Sequence, residues 1–396
     1  MITCLDVEGW RVCTPAEIAQ FLDRSSPVGE GKRRFGLAAR THLRPVDVYT
    51  YLKARFGEPN GFQNFLRRDD SDNLVHWDFN LRAGDEDVYI SGIGREVHFL
   101  VTENLSDEDW RDLIKGIKRD FRRLSHEKSV ISRGLEKYIV FQNKFSALAN
   151  LCADLHERIL DAPPPVDVEL PGEEEETLDS YREAMTRRSK RIEGLFGDCL
   201  KLRLLMPIMA EAYVNMLILT FCRSAIRDDL SLYEDFLRAK IPERLALLIE
   251  NCDGFEKPVD KSLSAYGDFM RIISQRNYSL HGNIDPEREP IETVYFDKRR
   301  PLFVNPGHNI NILFEQMERQ ANAPGLLEDY EKLHGFLVEI SECLLPRYKA
   351  FFEQVISDAY PGFEVRKRRP TRLFPNHVVW GGLGGARYDD QLDVEW

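Results

Sequence analysis

Polar and apolar positions alternate along residues 74–81, LVHWDFNL. Val75, Trp77, Phe79 and Leu81 fall on one side and His76, Asp78 and Asn80 on the other. A period of two predicts a half-buried strand. DVYISGI and EVHFLVT follow, each bounded by glycine or charge, and the three runs predict antiparallel strands joined by tight turns. Helical signals surround them. TPAE at 14–17 reads as a capping box with Pro15 at the first helical position. Residues 45–56 predict a second helix stopped by Gly57, and Ser106 caps the amphipathic run DEDWRDLIKGIKRDFRRL. The basic, glycine-containing stretch 28–43 reads as a loop. Residues 1–125 therefore predict a small α+β accessory or sensor domain.

Beyond Val130 the period becomes helical. One long helix is expected over 130–160, then a break at DAPPPVDVELPGEEEE, with its four prolines and acidic run. Further helices are expected at 178–193, 196–226, 230–251, 260–281, 308–322 and 325–358, with a short extended piece at ETVYFDKRRPLF. The tail 359–396 lacks helical periodicity and reads as a loosely ordered arm. The expected organisation is mainly α: an α+β domain at 1–125, a helical domain at 126–358 and a tail.

Composition narrows the classes. The chain has 396 residues, 43% of them hydrophobic, and a net charge of −12. No global basic field draws it to nucleic acid, so any phosphate contact must be local. Four basic clusters, Lys32–Arg34, Arg119/Arg122/Arg123, Arg187–Arg191 and Arg366–Arg369, read first as solvated faces, and secondarily as RNA entry beside a site. The seven cysteines show no CxxC and no metal spacing, so reduced thiols in the cytoplasm and no metal or other cofactor are expected. MITCLDVEGW does not resemble a signal peptide. Residues 204–222, LLMPIMAEAYVNMLILTFC, are apolar enough to imitate a membrane span, but Glu211, Asn215 and Pro207 interrupt them, and a buried helix is expected.

An arginine separated by four to six residues from a following histidine occurs three times: Arg119…His126, Arg276…His281 and Arg372…His377. Context favours the second. SLSAYGDFMRIISQRNYSLHG ends a helix, Gly282 is a natural stop, and the C-terminal end of a helix favours a protonated imidazole. Asn277 adds a neutral hydrogen-bonding group. The apolar helix at 204–222 carries Glu211 and Asn215 on one face, so Arg276 and Asn277 are expected partners for them. An arginine held by a carboxylate is fixed in aim, as phosphate recognition requires.

This constellation, Arg276-Asn277-x-x-x-His281 at a helix end beside a long helix carrying Glu211 and Asn215, resembles the HEPN superfamily. The resemblance covers residues 130–358 and is concentrated in 204–222 and 260–283. It implies a helical bundle, a metal-independent endoribonuclease of the kind found in bacterial defence systems and toxin–antitoxin modules, RNA as substrate, and a homodimer with motifs from both chains facing one cleft. Arg276, Asn277 and His281 would be catalytic, with Glu211 and Asn215 in support. The N-terminal domain would receive a partner protein or trigger ligand. A non-catalytic interaction or nucleotide-sensing module is the alternative. On a regular helix, positions five apart point roughly 140° apart, so Arg276 and His281 of one chain do not project from one face unless the last turn unwinds.

Overall fold

A computed structural model describes residues 2–23, 34–66, 73–165, 168, 175–282, 284–287, 290, 292–304, 306, 309–374 and 387–396. About 59% of the described residues are helical, with a small antiparallel sheet in the N-terminal part. It divides into two compact units: Met1–Lys137 together with Leu373–Trp396, and Tyr138–Arg372. Two expected boundaries therefore move. The first unit extends past 125, and the C-terminal segment belongs to it.

The first unit holds β1 (Arg11–Val12), α1 (Pro15–Asp23), β2 (Phe35–Ala39), α2 (Pro45–Phe56), β3 (Trp77–Ala83), β4 (Glu86–Ile93), β5 (Glu96–Val101), α3 (Asp107–Arg123) and α4 (Ser125–Gly134). The strands form one sheet in the order β1-β3-β4-β5-β2, every named pair antiparallel. The expected meander is β3–β5, and β2 is an addition: FGLAA lies within the stretch read as a loop, and it pairs from Phe35↔Val101 to Ala39↔Val97. The core lies between one face of the sheet, with Phe79, Leu81, Ile90, Val97 and Phe99, and the helices that supply Tyr51, Leu52, Trp110, Leu113 and Ile114. Trp77 sits opposite Gly92, where a Cβ would lie 2.3 Å from the indole, so Gly92 makes room for that ring. The expected capping box of Thr14 with Glu17 is present, and Ser106, expected as a cap, forms a capping box with Asp109.

The strands are not half-exposed as their alternation suggests. Asp78, Asn80, Arg82 and Ser91 are buried too. Residues 60–64 cover this polar face. Gln63 and Asn64 donate their N–H groups to the Asp78 carboxylate at 2.9 and 3.1 Å, and the Tyr89 hydroxyl donates to it at 3.2 Å. Replacing Asp78 with alanine strands those donors, at a cost of about 2–3 kcal/mol. Urea denaturation of Asp78→Ala should show that loss in the transition of the first unit, and an unchanged midpoint would contradict it.

The second unit contains β6 (Tyr138–Val140), α5 (Lys144–Leu160), α6 (Glu175–Phe221), α7 (Ser224–Arg227), α8 (Leu230–Arg238), α9 (Ile241–Asn251), α10 (Ser264–Leu280), β7 (Val294–Asp297), β8 (Arg300–Phe303), α11 (Asn309–Ala321), α12 (Ala323–Ser341), α13 (Pro346–Ile356), β9 (Gly362–Glu364) and β10 (Arg369–Thr371). The long helix expected over 130–160 is three elements, because Gly134 ends α4, YIV enters a strand and Asn143 caps α5. The two helices expected over 178–226 are one helix of 47 residues, running through Gly194, Gly197 and Pro207. Its apolar stripe of Cys199, Leu202, Met206, Met209, Val214 and Leu217 packs in one core with Leu155 of α5, Phe269, Ile272 and Ile273 of α10, and Phe336 and Ile340 of α12. That burial outweighs the break signals. Pro242 and Pro346 open α9 and α13, dividing segments read as continuous. The extended piece at 292–303 is the hairpin β7–β8.

The expected arm at 359–396 is largely structured. Residues 362–371 form β9 and β10, which join β6 in a three-stranded sheet. Arg387–Trp396 docks on the first unit, with Asp389 wholly buried. Among the described residues, one helix is long and apolar enough to cross a membrane, and 61% of its most apolar window is buried against the rest of the chain.

Candidate active site

Arg276 and Asn277 lie in the last turns of α10, and His281 is its C-terminal cap. The His281 N–H donates to the Asn277 carbonyl at 3.2 Å, and Gly282, at φ 60°, ends the helix in the left-handed region that glycine adopts without strain. The helix stays regular to Leu280, so no unwound turn brings the two side chains together.

Arg276 turns inward. Its Nη2 donates to Glu211 Oε1 of α6 at 2.8 Å, and the two side chains are 15% and 29% exposed. This is the expected pair, although only partly removed from solvent. Asn215, one turn further along α6, is exposed and does not join Arg276 or Asn277. Its Oδ1 accepts from Nη1 of Arg244 at 2.7 Å. Arg244, on α9, is buried, and no motif pointed to it. Burial lowers its pKa, and the Glu211 charge raises it in part. Glu211 thus acts on two guanidinium groups, which leaves the cluster with one surplus positive charge. Among the described residues, the buried Nε atoms of Arg244 and Arg276 have no hydrogen-bond partner. The sequence signal for Arg244 is slight: a charged residue beside Leu245 and Leu248, on the buried side of α9.

His281 and Asn277 are exposed. Among the described residues, no hydrogen bond or ion pair links Arg276 to His281. The structure thus joins Arg276 to Glu211 and Asn215 to Arg244, but it does not gather Arg276, Asn277 and His281 around one point within a chain. A cavity of about 600 Å³ borders the same helix on another side, lined by Gln275, Tyr278 and Ser279 of α10 with Arg203, Asp329 and Lys332. Arg276 and His281 do not line it.

The competing motifs fall elsewhere. Arg119 and His126 are exposed on α3 and α4, the solvated face that was expected. His377 lies outside the described residues. The basic clusters are partly committed to structure: Arg123 pairs with Asp120, Arg188 lies over the Phe314 ring, Arg191 pairs with Glu318, and Arg369 with Asp253. No family model, curated protein or solved structure matches this chain.

The pair Glu211–Arg276 has a measurable consequence. Glu211→Ala leaves Arg276 without its carboxylate in a partly buried place, a cost of about 1–2 kcal/mol, between an exposed and a fully buried pair. The melting temperature should fall by about 2–8 °C. An unchanged melting temperature would show that the pair contributes nothing.

Proposed function

We propose that this chain is a metal-independent endoribonuclease of the HEPN type, with Tyr138–Arg372 as the helical bundle and the first unit as an accessory or sensor domain. The observation that supports this most is the Arg276–Glu211 contact at 2.8 Å. It anchors the motif arginine to the core helix, while His281 stands in solvent at the end of the same helix. The substrate is RNA, whose 2′-OH is the nucleophile. The His281 imidazole takes and returns protons at the 2′ and 5′ oxygens. Arg276 stabilises charge developing on the phosphorane. Asn277 orients the phosphate or His281, and Glu211 and Asn215 are supporting groups, the latter through Arg244. The products carry a 2′,3′-cyclic phosphate and a 5′-hydroxyl.

Because Arg276 and His281 of one chain diverge, the working site takes its groups from two copies related by a two-fold axis. Toxicity of such an enzyme suits a role in cytoplasmic bacterial defence or as a toxin. The reaction needs no metal, so RNA cleavage should continue in EDTA. Loss of cleavage on chelation, restored by Mg²⁺ or Mn²⁺, would refute the mechanism.

A second reading is a non-catalytic interaction or nucleotide-sensing bundle. What favours it is that, among the described residues, the side chains of Arg276, Asn277 and His281 are not linked to one another within the chain. Purified protein incubated with total RNA separates the two, since the second reading expects no cleavage at any enzyme concentration.

A further inference from the structure

The loop between β2 and α2 holds a carboxylate as an oxyanion site holds its ligand. Asp389 is wholly buried, and its oxygens accept from the N–H of Arg40 at 2.9 Å, of Thr41 at 3.3 Å and of His42 at 2.8 Å. The Thr41 hydroxyl donates at 3.0 Å, and His42 Nδ1 lies 3.1 Å away. Burial alone would raise the Asp389 carboxyl, but these donors outweigh it and hold the group below the ordinary aspartate range. Three successive backbone N–H groups with a hydroxyl and an imidazole make an anion-binding concavity.

A second and independent feature lies on the same histidine. The Trp396 indole stacks on the His42 ring, with centroids 3.5 Å apart and planes 12° from parallel. Arg40 adds a bidentate contact to Asp390, Nε to Oδ1 at 3.0 Å and Nη2 to Oδ2 at 2.8 Å, and lies over the Tyr388 ring. One short loop therefore grips an anion and a flat aromatic ring side by side. A nucleotide offers the same combination: a phosphate for the N–H groups and a base for the ring.

The segment is held in a way that allows exchange. Leu392, 7% exposed, is its one buried apolar side chain, and Trp396 remains 41% exposed. Val394 packs partly buried against the core, Trp396 and Tyr388 make the ring contacts described, and the remaining ties are polar. Ala38 N–H donates to the Arg387 carbonyl at 2.8 Å, Asp107 accepts from the Asp393 N–H at 2.9 Å, and Arg387 pairs with Asp107. Contacts of this kind on a partly open surface are individually weak and salt-sensitive.

We propose that Arg40–Thr41–His42 is a binding subsite for a nucleoside phosphate, and that Tyr388–Trp396 occupies it as an internal substitute, Asp389 in the place of the phosphate and Trp396 in the place of the base. The segment is a displaceable strap. The same chemistry comes from a free nucleotide or from the phosphorylated end of an RNA strand. The subsite is separate from Arg276 and His281 and stands whether or not the chain cleaves RNA.

The test uses the full chain carrying Asp389→Ala and Trp396→Ala, which keeps Leu392. The probes are a fluorescent adenosine monophosphate and a 3′-labelled single-stranded RNA with a 5′-phosphate or a 5′-hydroxyl. Removing the internal competitor should tighten binding by about ten-fold or more, since apparent affinity scales with the fraction of open sites. His42→Ala added to that background should return it to the parent level. A synthetic peptide of residues 387–396 should compete. Tight binding of the monophosphate identifies a free nucleotide, and a preference for the 5′-phosphorylated strand over both the monophosphate and the 5′-hydroxyl strand identifies an RNA end. A folded double variant that binds neither probe better than the parent, or binding indifferent to His42→Ala, overturns the proposal. Should the double variant fail to fold, hydrogen exchange of residues 387–396 in the parent decides. Faster exchange on saturation with the monophosphate or the 5′-phosphorylated strand supports displacement, and no change with either refutes it.

Discussion

His281→Ala should reduce RNA cleavage by about 10²–10⁴-fold, the usual contribution of a general acid–base group, while the melting temperature stays within a degree or two of the parent. The two halves of this expectation come from the same geometry. His281 caps α10 through its backbone, and its ring is exposed, so truncating the side chain removes no buried contact. The loss of chemistry should therefore appear without loss of structure. His126→Ala is the matched control, because it follows Arg119 at a comparable spacing on a solvated face, and it should cleave like the parent. Initial rates on a labelled RNA, measured beside thermal melts of all three proteins, decide it. Equal rates for His281→Ala and the parent, or equal damage from His126→Ala, would remove RNYSLHG from the active site.

Arg276→Ala should abolish cleavage by about 10²–10³-fold, as expected for a group facing charge that develops in the transition state. Unlike His281→Ala it should also cost stability, because Glu211 loses the guanidinium 2.8 Å away. Arg244 remains near and compensates the Glu211 charge in part, so the stability loss should be smaller than for a carboxylate stranded alone. Arg276→Lys separates the two roles. It keeps the positive charge but not the planar fork, so much of the stability should return and little of the rate. A lysine variant that cleaves as fast as the parent would mean that charge alone matters, and aim does not.

Some of this was legible in the sequence and some was not, for definable reasons. The end of α10 was readable because Gly282 is local chemistry, and the Glu211–Arg276 pair because a carboxylate in an apolar helix needs a cationic partner. The partner of Asn215 was misread. A lone arginine among leucines, as at Arg244, has the pattern of a side chain reaching out to solvent, and only the packing of α9 beside α6 turns it inward. The unity of α6 was hidden because Gly194, Gly197 and Pro207 are genuine local break signals, overridden by burial against α5, α10 and α12. Strand β2 and the docked segment Arg387–Trp396 depend on partners far along the chain. FGLAA pairs with residues about sixty positions away, and Asp389 finds its donors at Arg40–His42. No local period announces either.

The nature of the nucleophile is the core of the account, and end-group analysis tests it directly. An RNA oligonucleotide and the same strand with a single 2′-deoxy residue at the mapped cleavage site would be incubated with the parent protein in EDTA, and the products resolved by mass spectrometry. The account predicts a 2′,3′-cyclic phosphate and a 5′-hydroxyl from the first strand and no scission at the substituted position in the second. Cleavage of the 2′-deoxy strand at that position, or products ending in a 5′-phosphate, would contradict it.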